Sequence, residues 1–190
     1  MIDLETTGLD AATSRVVECA IVQLDQDGSI CSEWSSLLHV GGEEIGANAI
    51  HHISASMLAT APCFAEVAPE IVARLSGRIV VGHVVAFDLA HLNAEFARLG
   101  RSLPDLAAAS LCTRDLAKEF GLDRPRTLLG CCQATGISLR GAHTALGDAR
   151  STAALLRHFL LSGSVGDLTG AARVATTVDW GVRELQPLDC

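Results

Sequence analysis

Along the first forty residues, apolar and polar positions alternate in short runs. Met1 to Glu5 alternates apolar with acidic side chains and is broken by Thr6-Thr7-Gly8. Arg15 to Leu24 (RVVECAIVQL) is β-branched and mostly apolar, and Asp25-Gln26-Asp27-Gly28 behind it carries hairpin-turn chemistry. Ile30 to Val40 reads as the returning strand, so residues 15–40 are expected to form an antiparallel hairpin beside the first strand. From Ala65 the period changes. Val67, Ile71 and Leu75 recur every four residues, a helical spacing in which Pro69 blurs the start. Ile79 to Gly82 is a short apolar strand. After Asp88, Leu89, Leu92, Phe96 and Leu99 follow at steps of three, four and three to Gly100, a helix with a glycine stop. Leu106 to Cys112 is expected as a fifth strand, and Thr113–Phe120 and Thr127–Ala134 as short helices. The longest helical run is Ala145–Leu161, with Ala149, Thr152, Leu156 and Phe159 along one side.

Three strands followed by helix–strand alternation predict an α/β fold, a mixed β-sheet flanked by helices on both faces. The segment LSGSVGD, which begins at Leu161, marks the expected end of a first domain, 1–161. Residues 162–190 read as a weakly structured tail or one docked helix, with Trp180 and Leu185 as apolar anchors for a partner.

Composition sharpens this picture. With 49% apolar and 19% charged residues in a 190-residue chain, disorder is excluded and one sizeable core is expected. The longest apolar stretch, Ile79 to Phe87, is interrupted by Gly82 and His83 and is far shorter than the roughly 20 residues of a membrane span. No signal peptide is read at the start, so a cytoplasmic protein is the expectation. Fourteen basic against 22 acidic residues give a net charge of −8, with Lys118 the only lysine. Such a chain lacks the basic surface of a sequence-independent nucleic-acid binder, and would grip nucleic acid through metal ions and a few arginines. Seven cysteines without a C-x-x-C pair suggest reduced, mostly buried thiols.

The chemistry lies in acids at element ends. Asp3 and Glu5, two apart on a strand, point to one face and repel unless a cation lies between them; Mg²⁺ takes such oxygen ligands. On their own they are also compatible with a solvated strand edge. Asp88 stands near the start of a helix, where an acid also complements the helix dipole. His143 precedes Asp148 by five residues, about 140° on an ideal helix, so the histidine is expected in the loop or first turn and Asp148 on the helix.

Together D-x-E-T-T-G-L at 3–9, H-x-x-x-F-D at 83–88 and H-x-A-x-x-D at 143–148 resemble the three motifs of the DEDDh 3′–5′ exonucleases. That family includes bacterial polymerase proofreading subunits such as the epsilon subunit of DNA polymerase III, RNase T and the oligoribonucleases. The resemblance runs from residue 2 to about 160, and IHHIS at 50–54 resembles the family's V-H-G-I-T. It implies a ribonuclease H-like fold and two Mg²⁺ or Mn²⁺ ions. Asp3 would bridge both ions, with Glu5 and Asp148 completing one site and Asp88 serving the other. His143 would be the general base, and Thr6, Leu9, His51 and Phe87 would line the pocket for the 3′-terminal nucleotide. Leu9 and Phe87 are equally compatible with core positions.

The chain departs from the family in three places. Members commonly have more strand before the first aspartate, so the first strand is expected to be truncated here. Val84 replaces a common asparagine, and His52 a common glycine. The reading that follows is a metal-dependent 3′–5′ exonuclease of proofreading or repair type, acting on the 3′ end of single-stranded DNA. The alternatives are an RNA-trimming exoribonuclease resembling the oligoribonucleases, and a non-catalytic polymerase-associated subunit. A DNA polymerase subunit or a second copy of the chain is the expected partner.

Overall fold

The computed structural model describes residues 1–41, 45–46, 48–123, 125–139, 141–163, 165 and 168–181. Three antiparallel strands, β1 (Ile2–Thr6), β2 (Val16–Leu24) and β3 (Ile30–Leu37), lie in the order β1-β2-β3. The β2–β3 turn closes through Gly28, at φ +79°, whose amide donates to the Asp25 carbonyl. Two short helical turns, α1 (Asn48–His51) and α2 (Ala55–Leu58), lead into α3 (Phe64–Leu75). Strand β4 (Val80–Gly82) then lies against β1. Helix α4 (Val85–Arg98) and a 3₁₀ turn at Ala107–Ala109 carry the chain to β5 (Ser110–Cys112), which pairs parallel to β4. Helices α5 (Thr113–Glu119), α6 (Leu128–Ala134), α7 (Ala145–Leu161) and α8 (Thr169–Thr177) follow. No helix among the described residues is long and apolar enough to cross a membrane.

Strand alternation feeds two cores on opposite faces. Ile2, Leu4, Cys19 and Ile21 pack with Ile71 and Val72 of α3 and Leu92 and Phe96 of α4. Ala20 and Val22 pack on the other face with Ala145, Ala149, Ala153, Leu156 and Phe159 of α7. Strand β2 is therefore covered on both sides, which is why its sequence is nearly all apolar instead of alternating. The β1–β2 register shifts between Glu5 and Thr6, with Glu5 opposite Glu18 and Thr6 opposite Val16. This bulge leaves Val17 without a partner on β1, and its side chain joins a third cluster with Val40, Ile53 and Leu58.

Three expectations are corrected. Helix α4 starts at Val85, ahead of Asp88, because Val84 at φ +78° turns the chain directly from β4 into the helix. Asp88 thus lies in its first turn. The fifth strand shrinks to Ser110–Cys112, since Leu106 and Ala109 are drawn into the first core and the chain coils there. The thiols are not all reduced: Cys63 is disulfide-bonded, while Cys19, Cys31, Cys112, Cys131 and Cys132 are free.

Beyond α7, helix α8 packs on the 3₁₀ turn, and Ala175 and Trp180 are buried in the first core. Trp180, 8% exposed, is thus spent within the fold; Leu185 lies outside the described residues. Trp180→Ala is expected to lower the unfolding free energy by about 3–5 kcal/mol in urea denaturation. A loss under about 1 kcal/mol would mean that this segment does not contribute to the core.

Candidate active site

Asp3 and Glu5 sit on β1 opposite Ala20 and Glu18 of β2, on the sheet face that α7 covers. Thr144 caps α7 by accepting the Gly147 amide, and Asp148 follows in the first turn. Carboxylate oxygens of Asp3, Glu5 and Asp148 come within 4.8 Å of one another. Asp88 is buried beside the end of β4, where Gly82 makes room for it. A Cβ on Gly82 would lie 2.9 Å from Asp88 Oδ2. The four acids share a pocket of about 320 Å³ with Leu4, His83, Val84, Phe87 and His143. All five residues of the expected catalytic set therefore meet at one place.

Burial raises every acid of the four, and neighbouring carboxylates add to it at Asp3, Glu5 and Asp88. Burial, then the charges of Asp88, Asp148, Glu5 and Glu18, push the Asp3 carboxyl well above the usual carboxylate range. Burial does the same at Asp88, against backbone amides that favour its ionised form. Asp148 is raised by burial, and Glu5 is pushed to about 7 by burial and by Asp148 and Glu18. Asp148 Oδ1 is buried without a hydrogen-bond partner among the described residues. Hard oxygen donors, mutual repulsion and an orphaned carboxylate oxygen fit a divalent cation such as Mg²⁺ or Mn²⁺.

The histidines divide by their partners. His143 occupies the exposed turn before α7 at φ +63°, and its amide donates to Asp148 Oδ2 at 3.3 Å. Its ring has no hydrogen-bond partner among the described residues. His83 is stitched into the fold. Its Nε2–H donates to the Arg126 carbonyl and its Nδ1 accepts from the Thr113 hydroxyl, both at 3.0 Å. Burial lowers its pKa, consistent with a neutral ring.

His51, 4% exposed, accepts the Ile53 amide at Nδ1 and donates from Nε2 to the Gly46 carbonyl. Gly46 in turn lies so close to the Thr7 carbonyl oxygen that a Cβ would have no room there. Thr6 is buried with its hydroxyl on the Gly8 carbonyl. Leu9 is 88% exposed, which excludes a core role. Phe87 lines the pocket, its ring centroid 4.1 Å from that of His91. Of the four expected substrate contacts, Phe87 alone lines the carboxylate pocket as described.

Sequence reasoning missed Glu18. Its Oε2 accepts the Ala145 amide at 3.0 Å, tying β2 to the start of α7. The available signal was a lone charge in an otherwise apolar strand. The two departures Val84 and His52 gain a physical meaning as well: both adopt positive φ, +78° and +59°. Asparagine and glycine enter this conformation easily, while other L-residues pay about 1–2 kcal/mol.

The raised Glu5 carboxyl sets a pH dependence. Below its ordinary 4.5 the group is protonated in folded and unfolded chains alike, and its neutral form costs nothing. As pH rises through about 7, the metal-free fold must hold a repelled charge and loses stability. In EDTA, Glu5→Gln is therefore expected to melt above the wild type at about pH 8, the two converging near pH 4.5. A thermal melt showing the variant less stable at alkaline pH would contradict this.

A sequence model of the RNase T exonuclease family matches residues 1–156. The chain is 34% identical over 158 residues to the DNA polymerase III subunit epsilon of Aquifex aeolicus, covering 80% of this chain and 75% of that protein. Longer relatives are matched over little of their length, 14% for a PolC-type DNA polymerase III of Thermotoga petrophila. Among solved structures, Exonuclease X in complex with 5′-overhanging duplex DNA aligns with a TM-score of 0.65 at 26% identity, covering 92% of this chain and 97% of that one. The nuclease domain of 3′hExo, a DEDDh family member bound to rAMP, aligns at 0.74 with 15% identity over 86% and 91%, a likeness of fold. Since the family match runs through all three motifs that converge on the pocket, the chain belongs to the RNase T exonuclease family, in its DEDDh branch of 3′–5′ exonucleases.

Proposed function

We propose that the chain hydrolyses phosphodiester bonds at the 3′ end of single-stranded DNA, with two Mg²⁺ or Mn²⁺ ions held by Asp3, Glu5, Asp88 and Asp148. The observation that carries this is the convergence of acids from β1, α4 and α7, with one Asp148 oxygen left unpartnered. When bound, such ions supply the charge that stabilises the attacking and leaving oxygens of an in-line displacement. The protein's part is placement. Asp3 and Glu5 ride on a strand locked by β2, and Asp148 rides on a capped helix.

His143 acts as general base. Its ring is exposed at the pocket rim and has no hydrogen-bond partner among the described residues, and an imidazole is a common general base. His83, with both ring nitrogens engaged, is unsuited to that role. Phe87 offers an apolar face on which any terminal base can stack. DNA is favoured because the chain is similar to a polymerase III subunit and to Exonuclease X, solved with DNA. The same relative supports work beside a DNA polymerase. The rAMP in the 3′hExo structure supports RNA as the second reading.

The test uses 5′-labelled single-stranded DNA and matching RNA, with Mg²⁺, Mn²⁺ or EDTA. A metal-dependent 3′-shortening ladder is expected, faster on DNA and absent in Asp148→Ala. His143→Ala should retain Mn²⁺ binding and lose about 10²–10⁴-fold in rate. No ladder from folded wild type would refute the reading; faster shortening of RNA would favour the second one.

A further inference from the structure

We propose that Glu18 is a positioning residue that registers helix α7 against the sheet, so that Asp148 and His143 face Asp3 and Glu5. This rests on the nuclease reading of the pocket. The cluster is built from two pieces that are not hydrogen-bonded as one element. Asp3 and Glu5 belong to β1, whereas Asp148 and the turn carrying His143 belong to α7. Glu18 is paired directly with Glu5 across the β1–β2 ladder, so its position is set by the strand that holds half of the cluster. Its carboxylate accepts the amide of Ala145, the first residue of α7, at 3.0 Å. One side chain thus bridges the two pieces.

The rest of the helix start is satisfied locally. The Thr144 hydroxyl takes the Gly147 amide, the Thr144 carbonyl takes the Asp148 amide, and Asp148 Oδ2 takes the His143 amide. These bonds shape the turn but do not fix it relative to the sheet. The Glu18–Ala145 bond does so at the helix start, two residues after His143 and three before Asp148, and the Arg150–Glu33 ion pair ties α7 to β3 further along. Near the helix start the buried cluster holds Ala145, Ala149 and Ala20, while its larger members, Leu155, Leu156 and Phe159, lie towards the other end of α7. A shift on the order of 1 Å at a reacting group can cost about 10²-fold in rate. Glu18 gives its Oε2 to the helix amide, and from there its charge also reaches Asp3 and Glu5.

The acceptor is what matters in this account, and Gln supplies one while Ala does not. Wild type, Glu18→Gln and Glu18→Ala are compared by Mn²⁺ titration, by kcat and KM on a labelled oligonucleotide, and by hydrogen exchange of the α7 first turn in EDTA. Glu18→Ala is expected to lose about 10–100-fold in Mn²⁺ affinity, as outer partners of ligands do. Its kcat should fall with KM little changed, and its Ala145 amide should lose protection. Glu18→Gln should stay within about threefold of wild type in affinity and keep that protection. Equal losses in Gln and Ala would overturn the proposal in favour of a role for the charge itself. An Ala variant with only a lower melting temperature would overturn it in favour of a purely structural role. Wild type that takes up no Mn²⁺ would count against the nuclease reading, whereas loss of Ala145 protection in the Ala variant alone would still uphold the anchor.

Discussion

Repulsion among carboxylates is the constraint around which this fold is arranged. Asp3 and Glu5 cannot turn away from each other, because β1 is laddered to β2 and alternation puts both on one face. Asp148 arrives on that face from α7, and Asp88 enters from α4 through the space left by Gly82. The Asp3 carboxyl feels all the others, and the Glu5 carboxyl rises to about 7. A fold that holds these groups together gives up stability when they ionise without a counter-charge, and regains it when a cation arrives.

What pays for the crowding is the rest of the architecture. Two cores, one on each face of the sheet, clamp β1 and β2 between α3 and α4 on one side and α7 on the other. Small residues on α7, Ala145, Ala149 and Ala153, bring its axis close to Ala20 and Val22. The same rigidity holds Val84 and His143 in left-handed backbone conformations at the rim. Such outliers survive where surrounding structure over-determines the chain, and they gather at functional sites.

Much of this was legible in sequence because it is local. The hairpin showed in the apolar run before Asp25, and α7 matched its expected span, Ala145–Leu161. The acids and His143 were recognisable from motif spacing, since β1, α4 and α7 each present their residues over a few positions. Long-range relations were not. Glu18 acquires its role only through its pairing with Glu5 on another strand and a helix more than one hundred residues away. Leu9 and His51 look alike as motif neighbours, yet one is fully out in solvent and the other has both nitrogens satisfied inside. The alanines of 107–109 carry no strand signal strong enough to resist the pull of the first core.

The central claim is the proposal that these mutually repelling acids bind divalent cations. The most direct measurement is the melting temperature with and without Mg²⁺, taken at about pH 5.5 and about pH 8, on either side of the Glu5 carboxyl. The account predicts a clear Mg²⁺-induced rise at the higher pH that shrinks at the lower one, where protonation has already relieved the repulsion. A Mg²⁺ effect that is absent, or equal at both, would contradict it.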